Sequence, residues 1–312
     1  MKITNNYNLP EAIVLALTKD NYSRGASNRS VTQLIDSPRV QILQREFDAE
    51  LYEDATDRMW SILGTAVHNI FEDATPEHDN AEERIFYEAN GWVISGAIDL
   101  QEQSDNYSGG VCTVMSDYKC TSVWSVIYGK KEWNNQLNAY GWLSRHGKGV
   151  DVDRLRVVAV LRDWNRREAK MKPDYPNAPI VIVDIPRWTN EEQDRYMEER
   201  IRLHSEAEFN RLTGDPLPYC LESERWMQEA TYAVMKGKNK RATRVLKTKE
   251  EADDFIKVKE LDDSHTVVER KGKASRCEGD YCHVARFCSQ YQSEVRGGEE
   301  PTIDEKSQGL MI

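Results

Sequence analysis

The alternation of apolar and polar positions marks out most of the elements of this chain. Between residues 57 and 71, Met59, Ile62, Leu63, Ala66, Val67, Ile70 and Phe71 recur at three- and four-residue steps. That period predicts a helix with one buried face, and Gly64 and His68, four apart, share one side of it. Residues 84–89 and 92–100 read as strands joined by Asn90-Gly91, a two-residue hairpin signal. Ser108-Gly109-Gly110 turns the chain again into a strand over residues 111–119. Three antiparallel strands are therefore expected after a helix, with Asp99 and Asp117 near strand ends.

The remaining pattern is shorter. Residues 10–17 predict a helix. Ser30 or Thr32 can cap the next one, and Ser37-Pro38-Arg39 breaks it and starts another. Residues 133–143 have helical spacing, with Gln136 and Tyr140 four apart on one face. Residues 155–161 and 180–185 are apolar runs that read as strands. Thr189-Asn190-Glu191-Glu192 is a capping box that opens a charged helix to about Arg211, which Pro216 and Pro218 stop.

Beyond Cys220 the composition changes. Lys236, Lys238, Lys240, Arg241, Arg244, Lys247 and Lys249 fall within fourteen residues that contain no acid. With a helix capped by Thr248 and a strand at 265–269, residues 226–276 predict a small basic strand–helix–strand insertion. The expected organisation is an N-terminal extension over 1–29 and a core domain over 30–215. A cysteine-bearing region carrying that insertion follows over 216–293, then a polar, disordered tail over 294–312. There is no internal repeat.

The 312 residues are 30% charged and 39% hydrophobic, enough to bury a full core. No run approaches the ~18 to 20 apolar residues of a membrane helix. The N-terminus lacks the layout of a signal peptide. A cytoplasmic location and no membrane partner are the expectation. A net charge of −11 argues against a general nucleic-acid coat, because phosphate binding is driven by Lys and Arg. It leaves room for an acidic, metal-binding site with basic residues concentrated elsewhere.

The candidate chemistry is concentrated at Asp117-Tyr118-Lys119. Hard Mg2+ or Mn2+ prefers carboxylate oxygen, which Asp99 and Asp117 supply. The backbone carbonyl of Tyr118 can add a ligand, and His68 a nitrogen for Mn2+. Lys119 can orient or deprotonate water, or stabilise developing negative charge. Read singly, each residue has an ordinary alternative: a surface ion pair for Asp117 and Lys119, a partly buried histidine, a plain helix pair for Gln136 and Tyr140. A second constellation is Cys277, Cys282 and Cys288, within twelve residues, with Cys220 as a fourth. Four thiolates suit a [4Fe–4S] cluster or a tetrahedral zinc, against the alternative of buried free thiols. Cys112 and Cys120 read as structural, and His283 as a surface residue or substitute ligand. The basic run, chiefly Lys236, Lys238, Lys240, Arg241 and Arg244, is either a DNA-phosphate contact or a solvated face. Trp226, Tyr232 and Phe287 either stack on bases or pack in a core.

In order along the chain, Gly64-Thr65-Ala66-Val67-His68, Gly96-Ala97-Ile98-Asp99, Asp117-Tyr118-Lys119 and Gln136-Leu137-Asn138-Ala139-Tyr140 resemble the RecB-like branch of the PD-(D/E)XK nuclease superfamily. That branch includes nuclease domains of recombination helicase–nucleases, the iron–sulfur nucleases of CRISPR adaptation, and phage exonucleases. The resemblance covers residues 30 to 165 well and the cysteine region more loosely.

It implies an α/β, restriction-endonuclease-like core with a mixed central sheet flanked by helices. His68, Asp99, Asp117 and the Tyr118 carbonyl would bind metal, and Lys119 would be catalytic. Gln136 and Tyr140 would position substrate or Lys119. Glu72, one turn beyond His68, would be a further acid near the metals or a solvated residue. The implied activity is a Mg2+- or Mn2+-dependent DNA exonuclease of recombination, repair or phage DNA processing, in a bacterial or phage-infected cell. It would act on DNA ends or single strands beside a recombinase, a single-strand annealing protein or a helicase. An endonuclease of the same superfamily, or a non-catalytic DNA-binding protein with a structural metal site, are the alternatives. Iron–sulfur relatives carry one cysteine ahead of the nuclease motifs. This chain has none near Ser37-Pro38-Arg39, so Cys220 would have to replace it.

Overall fold

The computed structural model describes residues 1–19, 25–76, 78–105 and 111–295. The expected disordered tail lies outside them, except that residues 294 and 295 close a helix. The chain divides into two compact units, one of Met1–Pro38 with Ala49–Leu217, the other of Arg39–Asp48 with Pro218–Ile312.

The first unit is mixed α/β. In chain order it contains β1 (Lys2–Thr4), α1 (Glu11–Thr18), β2 (Arg29–Ser30) and α2 (Val31–Ile35). Then come α3 (Pro38–Glu46), nearly all of which belongs to the second unit, β3 (Tyr52–Asp54) and α4 (Met59–Asp73). β4 (Asn80–Ala89), β5 (Trp92–Asp105), β6 (Val111–Thr121), α5 (Val123–Ile127) and α6 (Lys131–Lys148) follow. β7 (Arg154–Leu161), α7 (Arg166–Met171), β8 (Ile180–Ile185) and α8 (Asn190–Thr213) complete it. The six-stranded sheet has the order β2-β5-β6-β7-β8, with β4 also paired to β5.

The turn chemistry explains the first half of the sheet. Asn90 and Gly91 both have positive φ, 51° and 76°, as a type I′ turn requires, and β4 and β5 pair antiparallel from Ala89↔Trp92 outward. β6 is antiparallel to β5 and parallel to β7. A parallel neighbour needs a crossover, and α6 provides it. Ser30 and Thr189 each cap a helix through a reciprocal capping box.

α4 and α6 lie on opposite faces of the sheet. Tyr118 of β6 packs edge-on against Phe71 and His68 of α4, while its neighbour Asp117 meets Gln136 of α6, and successive strand residues point to opposite faces. The core forms on the α6 side, where Leu137, Ala139, Leu143, Ile94, Ile98, Met115 and Val157 are at most 1% exposed. α2 and α8 pack against α6 there. The stripe of α4 is a departure from expectation: the helix forms, but none of its fifteen residues is fully buried.

The second unit holds β9 (Met227–Gln228), β10 (Thr231–Lys236), β11 (Arg244–Leu246), α9 (Lys249–Val258), β12 (His265–Arg270), β13 (Lys273–Ala274), α10 (Ser275–Glu278) and α11 (Ser289–Val295). The expected strand–helix–strand insertion gains a strand: β11-β10-β12 is a three-stranded antiparallel sheet with α9 packed on it. The segment 39–48, expected in the core domain, belongs here because Phe47 stacks on Phe287 at 4.1 Å and Arg39 Nε donates to the Pro218 carbonyl. Among the described residues no helix is long and apolar enough to cross a membrane.

Candidate metal and acid–base site

The four separated sequence pieces meet where β5 and β6 part. The β5–β6 ladder runs from Asp105↔Val111 to Leu100↔Ser116 and stops. Asp99 and Asp117 are the next residues along. Asp99 Oδ2 accepts the Tyr118 backbone N–H at 2.7 Å. His68 reaches in from α4: its Nε2 lies 2.7 Å from the Tyr118 carbonyl oxygen, and its Nδ1 is 3.5 Å from Asp99 Oδ2. The carbonyl expected as a metal ligand is thus the hydrogen-bond acceptor of the histidine, which fixes Nδ1 as the nitrogen facing the acids.

From the other face, Gln136 Nε2 donates to Asp117 Oδ1 at 3.1 Å and to the Tyr140 hydroxyl at 3.4 Å. Lys119 Nζ is 2.5 Å from Asp117 Oδ2, an oxygen that receives no aligned hydrogen bond. Gly96, which opens the Gly96-Ala97-Ile98-Asp99 piece, has a steric role. A Cβ there would sit 2.6 Å from Tyr140 Cε1 and 3.0 Å from Leu143 Cδ2, so α6 can bring Tyr140 down onto β5 only over a glycine. Gly64 has open space around it.

One acid beside the site escapes the sequence reading. Glu82 of β4 places Oε1 3.6 Å from His68 Nδ1. Ligand atoms of His68, Glu82 and Asp99 all lie within 4.8 Å of one another, and no other His, Cys, Asp or Glu trio does so among the described residues. Glu82 has φ of 48°, a region that L residues with long side chains rarely adopt, and the otherwise continuous β4–β5 ladder skips it. Strain of this kind persists where surrounding structure over-determines it, and it clusters at functional sites.

The electrostatics match a cation-binding site. Burial pushes the Asp99 carboxyl up to about 7, and the charge of Asp117 adds to this, while His68 and Lys119 pull it partly back. For His68, burial alone would lower the pKa, but Glu82 and Asp99 outweigh it and the net direction is up. Several acids share too little positive charge, and oxygen-rich, carboxylate-dominated donor sets of this type suit hard divalent ions. His68 also faces a cavity of about 740 Å3. Its walls include Lys19, Arg58, Thr65, Glu72 and Glu82, so Glu72 lies beside the site rather than in the trio.

In the second unit Cys277, Cys282 and Cys288 are buried and Cys220 is half-buried. Burial pushes the Cys282 thiol up, and the nearby Cys277 and Cys288 push it further. Arg225 hydrogen-bonds to Cys277, and Arg39 Nη1 is 4.0 Å from Cys288 Sγ. Gln290 holds both backbone groups of Cys220, at 2.8 and 3.3 Å. Sulfurs around one tetrahedral zinc lie about 3.8 Å apart, from bonds of about 2.3 Å. No three of these sulfurs come within 4.8 Å of one another. Cys277, Cys282 and Cys288 thus share a neighbourhood, Cys220 is tied in through its backbone, and no three of the sulfurs have the spacing of a preassembled zinc site.

The basic run is exposed on and beyond the β10–β11 hairpin: Lys236, Lys238, Lys240, Arg241 and Arg244 all face solvent, Lys236 with Asp262 at 3.7 Å. Trp226 is 41% exposed beside Tyr281. Tyr232 is half-buried in β10, and Phe287 is engaged by Phe47.

No family model matches the chain, and no curated protein matches it. A solved structure described as the crystal structure of SSO0001 is similar over 62% of this chain and 85% of that one, at 17% identity and a TM-score of 0.39. So loose a superposition leaves the functional reading to rest on the residues themselves.

Proposed function

We propose that the chain is a divalent-metal-dependent deoxyribonuclease with a RecB-like PD-(D/E)XK core, acting as an exonuclease. The observation that carries the reading is the meeting of His68, Asp99, Asp117, Lys119, Gln136 and Tyr140, from four separate elements, in one cluster of hydrogen bonds and ion pairs around Asp117-Tyr118-Lys119. Each residue alone has an ordinary explanation. A joint arrangement of acids, a lysine and a histidine at the parted end of two strands does not.

In this reading Asp99, Asp117 and His68, with Glu82 added, would hold Mg2+ or Mn2+. The ion would supply a water of lowered pKa and offset charge on the phosphate. Lys119 Nζ, held by Asp117, would orient the attacking water and donate to a non-bridging oxygen as charge develops. Gln136 keeps the Asp117 carboxylate turned toward the site while Tyr140 holds Gln136. Lys19 and Arg58, on the cavity wall, suit the phosphates of a strand led in past α4.

The test is incubation of end-labelled linear DNA and closed circular DNA with Mg2+ or Mn2+. Loss of linear DNA alone is expected; nicking of circles would move the assignment to an endonuclease. Asp117→Ala should lower cleavage by about 10^3-fold or more, in keeping with loss of a metal ligand and charge stabilisation. Cleavage that survives both Asp117→Ala and Lys119→Ala would overturn the site, and the non-catalytic reading would then stand.

For the cysteines we infer a [4Fe–4S] cluster ahead of zinc, on Cys277, Cys282, Cys288 and Cys220. Support comes from the gathering of the four cysteines in one unit, with Arg225 beside Cys277 and Arg39 beside Cys288. Anaerobically purified protein should show a visible charge-transfer band and four iron atoms per chain. Stoichiometric zinc without iron would reverse the choice.

A further inference from the structure

The carboxyl ends of the parallel strands β6 and β7 carry features that neither the metal site nor the fold uses. β6 runs past Lys119 into Ser122, which caps α5. Trp124 of α5 and Tyr128, just past its end, stack on each other, with centroids 5.9 Å apart and planes 15° apart, yet they are 51% and 79% exposed. An aromatic pair that large is normally buried or covered by a partner. Nothing in the core requires it, because Val123 supplies the buried contact of α5.

The pair stands on a rigid base. Asp163, at the end of β7, accepts from Ser122 Oγ and from the Val123 N–H, each at 2.7 Å, and the Arg162 N–H donates to the Thr121 carbonyl. Arg162 lies 4.1 Å over the ring of Trp60, itself 54% exposed. Trp60 sits between Arg58 and Ser61, which line the cavity at His68.

The two segments are net positive in a chain whose net charge is −11: Lys130 and Lys131 stand against Glu132, and Arg162, Arg166, Arg167, Lys170 and Lys172 against Asp163 and Glu168. Lys130 and Lys131 follow Tyr128, and Arg166 and Arg167 follow Arg162; all four are exposed and none has a salt bridge among the described residues. Exposed rings flanked by exposed cations are the composition that holds single-stranded nucleic acid, with stacking for bases and Lys or Arg for phosphates. A duplex presents its phosphates but hides its base faces. In open α/β sheets, ligands bind outside the carboxyl ends of the strands.

We infer that Trp124 and Tyr128 form a base-stacking platform that makes this protein prefer an unpaired DNA strand, and so set its substrate specificity. The inference rests on the nuclease reading for its purpose but not for its measurement. The experiment is fluorescence anisotropy in EDTA with the full-length protein, a labelled oligothymidylate, and a blunt hairpin duplex of equal phosphate number.

The double variant Trp124→Ala, Tyr128→Ala should weaken single-strand binding by about tenfold or more, as loss of base stacking does, and leave hairpin binding within about twofold. Trp124→Phe, Tyr128→Phe should restore the single-strand preference, and its thermal melt guards against misfolding. Equal loss on both ligands, or no loss on either, overturns the inference. Because the titration contains no divalent metal, failure of the nuclease reading appears separately, as wild-type protein that binds but does not cut.

Discussion

α6 and α4 flank the same sheet and serve the same site, yet they are built differently. α6 buries nine of its eighteen residues, including Leu137, Asn138, Ala139 and Tyr140, and presents Gln136 from a fixed position. α4 has as clear an apolar stripe but buries none of its residues, leaving Met59, Trp60 and Ile70 48%, 54% and 63% exposed. One face of the site is therefore a packed support. The other is an open wall beside a cavity, bearing a histidine held by the Tyr118 carbonyl. Packing density translates into rigidity, so the acid held by α6 is preorganised, while the α4 side is where substrate or metal can complete the structure.

The contrast can be broken most decisively at the chemistry. Lys119 is held by Asp117, which the packed side positions, so Lys119→Ala should remove about 10^2- to 10^3-fold of the cleavage rate, as loss of an electrostatic donor does. It should also lower the thermal midpoint, because Asp117 is only 3% exposed and loses the cation paired with its Oδ2. A loss confined to substrate affinity, seen as a raised KM with unaltered kcat, would place Lys119 in binding instead.

Next in size is the packing itself. Gly96→Ala forces a Cβ to within 2.6 Å of Tyr140, and overpacking of this kind costs about 1–3 kcal/mol. Urea denaturation should report that loss, and cleavage should fall as well because Tyr140 and Gln136 shift with the helix. Full activity at reduced stability would mean that α6 tolerates displacement and is not the preorganised side.

Glu82 sharpens the open side. If it shares the metal with His68 and Asp99, Glu82→Gln should weaken Mn2+ binding by about tenfold, or about 1.4 kcal/mol, in line with loss of one ligand or its orienting partner. Calorimetric titration measures this without DNA. The pH dependence follows from Asp99. Its carboxyl is raised from 3.8 to about 7, so the folded chain binds a proton that the unfolded chain releases. The stability it contributes is present at low pH and is lost as pH rises through that window. Metal-free protein should thus melt lower at pH 8 than at pH 5.5, and Asp99→Asn should flatten that slope. Metal binding has the opposite sense, weakening as pH falls through about 7, because the ligand must be deprotonated.

What could be read from the sequence divides along the same line. Strands and the Asn90-Gly91 hairpin depend on local period and turn chemistry, and the structure has them within a few residues of where those rules put them. Glu82 was within reach, since counting back eight residues from Asn90 and forward eight from Gly91 sets it opposite Asp99. What hid it was its backbone: nothing in Ala81-Glu82-Glu83 signals a positive φ. The exposure of α4 was not legible, because an apolar stripe says which side of a helix seeks cover and not whether cover exists. Arg39 beside Cys288 joins residues 249 positions apart, and no local pattern encodes such a pair. Trp124 and Tyr128 lie in and just after a helix of five residues, too short for periodicity to distinguish an exposed ring from a buried one.

The smallest effect tests the comparison most directly, because it applies one substitution to both helices' contacts. A methyl group added at Gly64 of α4 would meet no atom within 4 Å, whereas one added at Gly96 under α6 would meet three within 3.0 Å. Alanine is the better helix former by about 0.5–1 kcal/mol in a helix interior. Gly64→Ala should therefore raise stability by that amount, opposite in sign to Gly96→Ala. Yet Gly64 lines the cavity at His68, so the added methyl narrows the space through which a strand would pass. Higher stability with a raised KM for DNA would mark α4 as a wall that substrate uses. Higher stability with unchanged kinetics would mean that the cavity beside α4 is incidental and that substrate approaches from the edge carrying Trp124 and Tyr128.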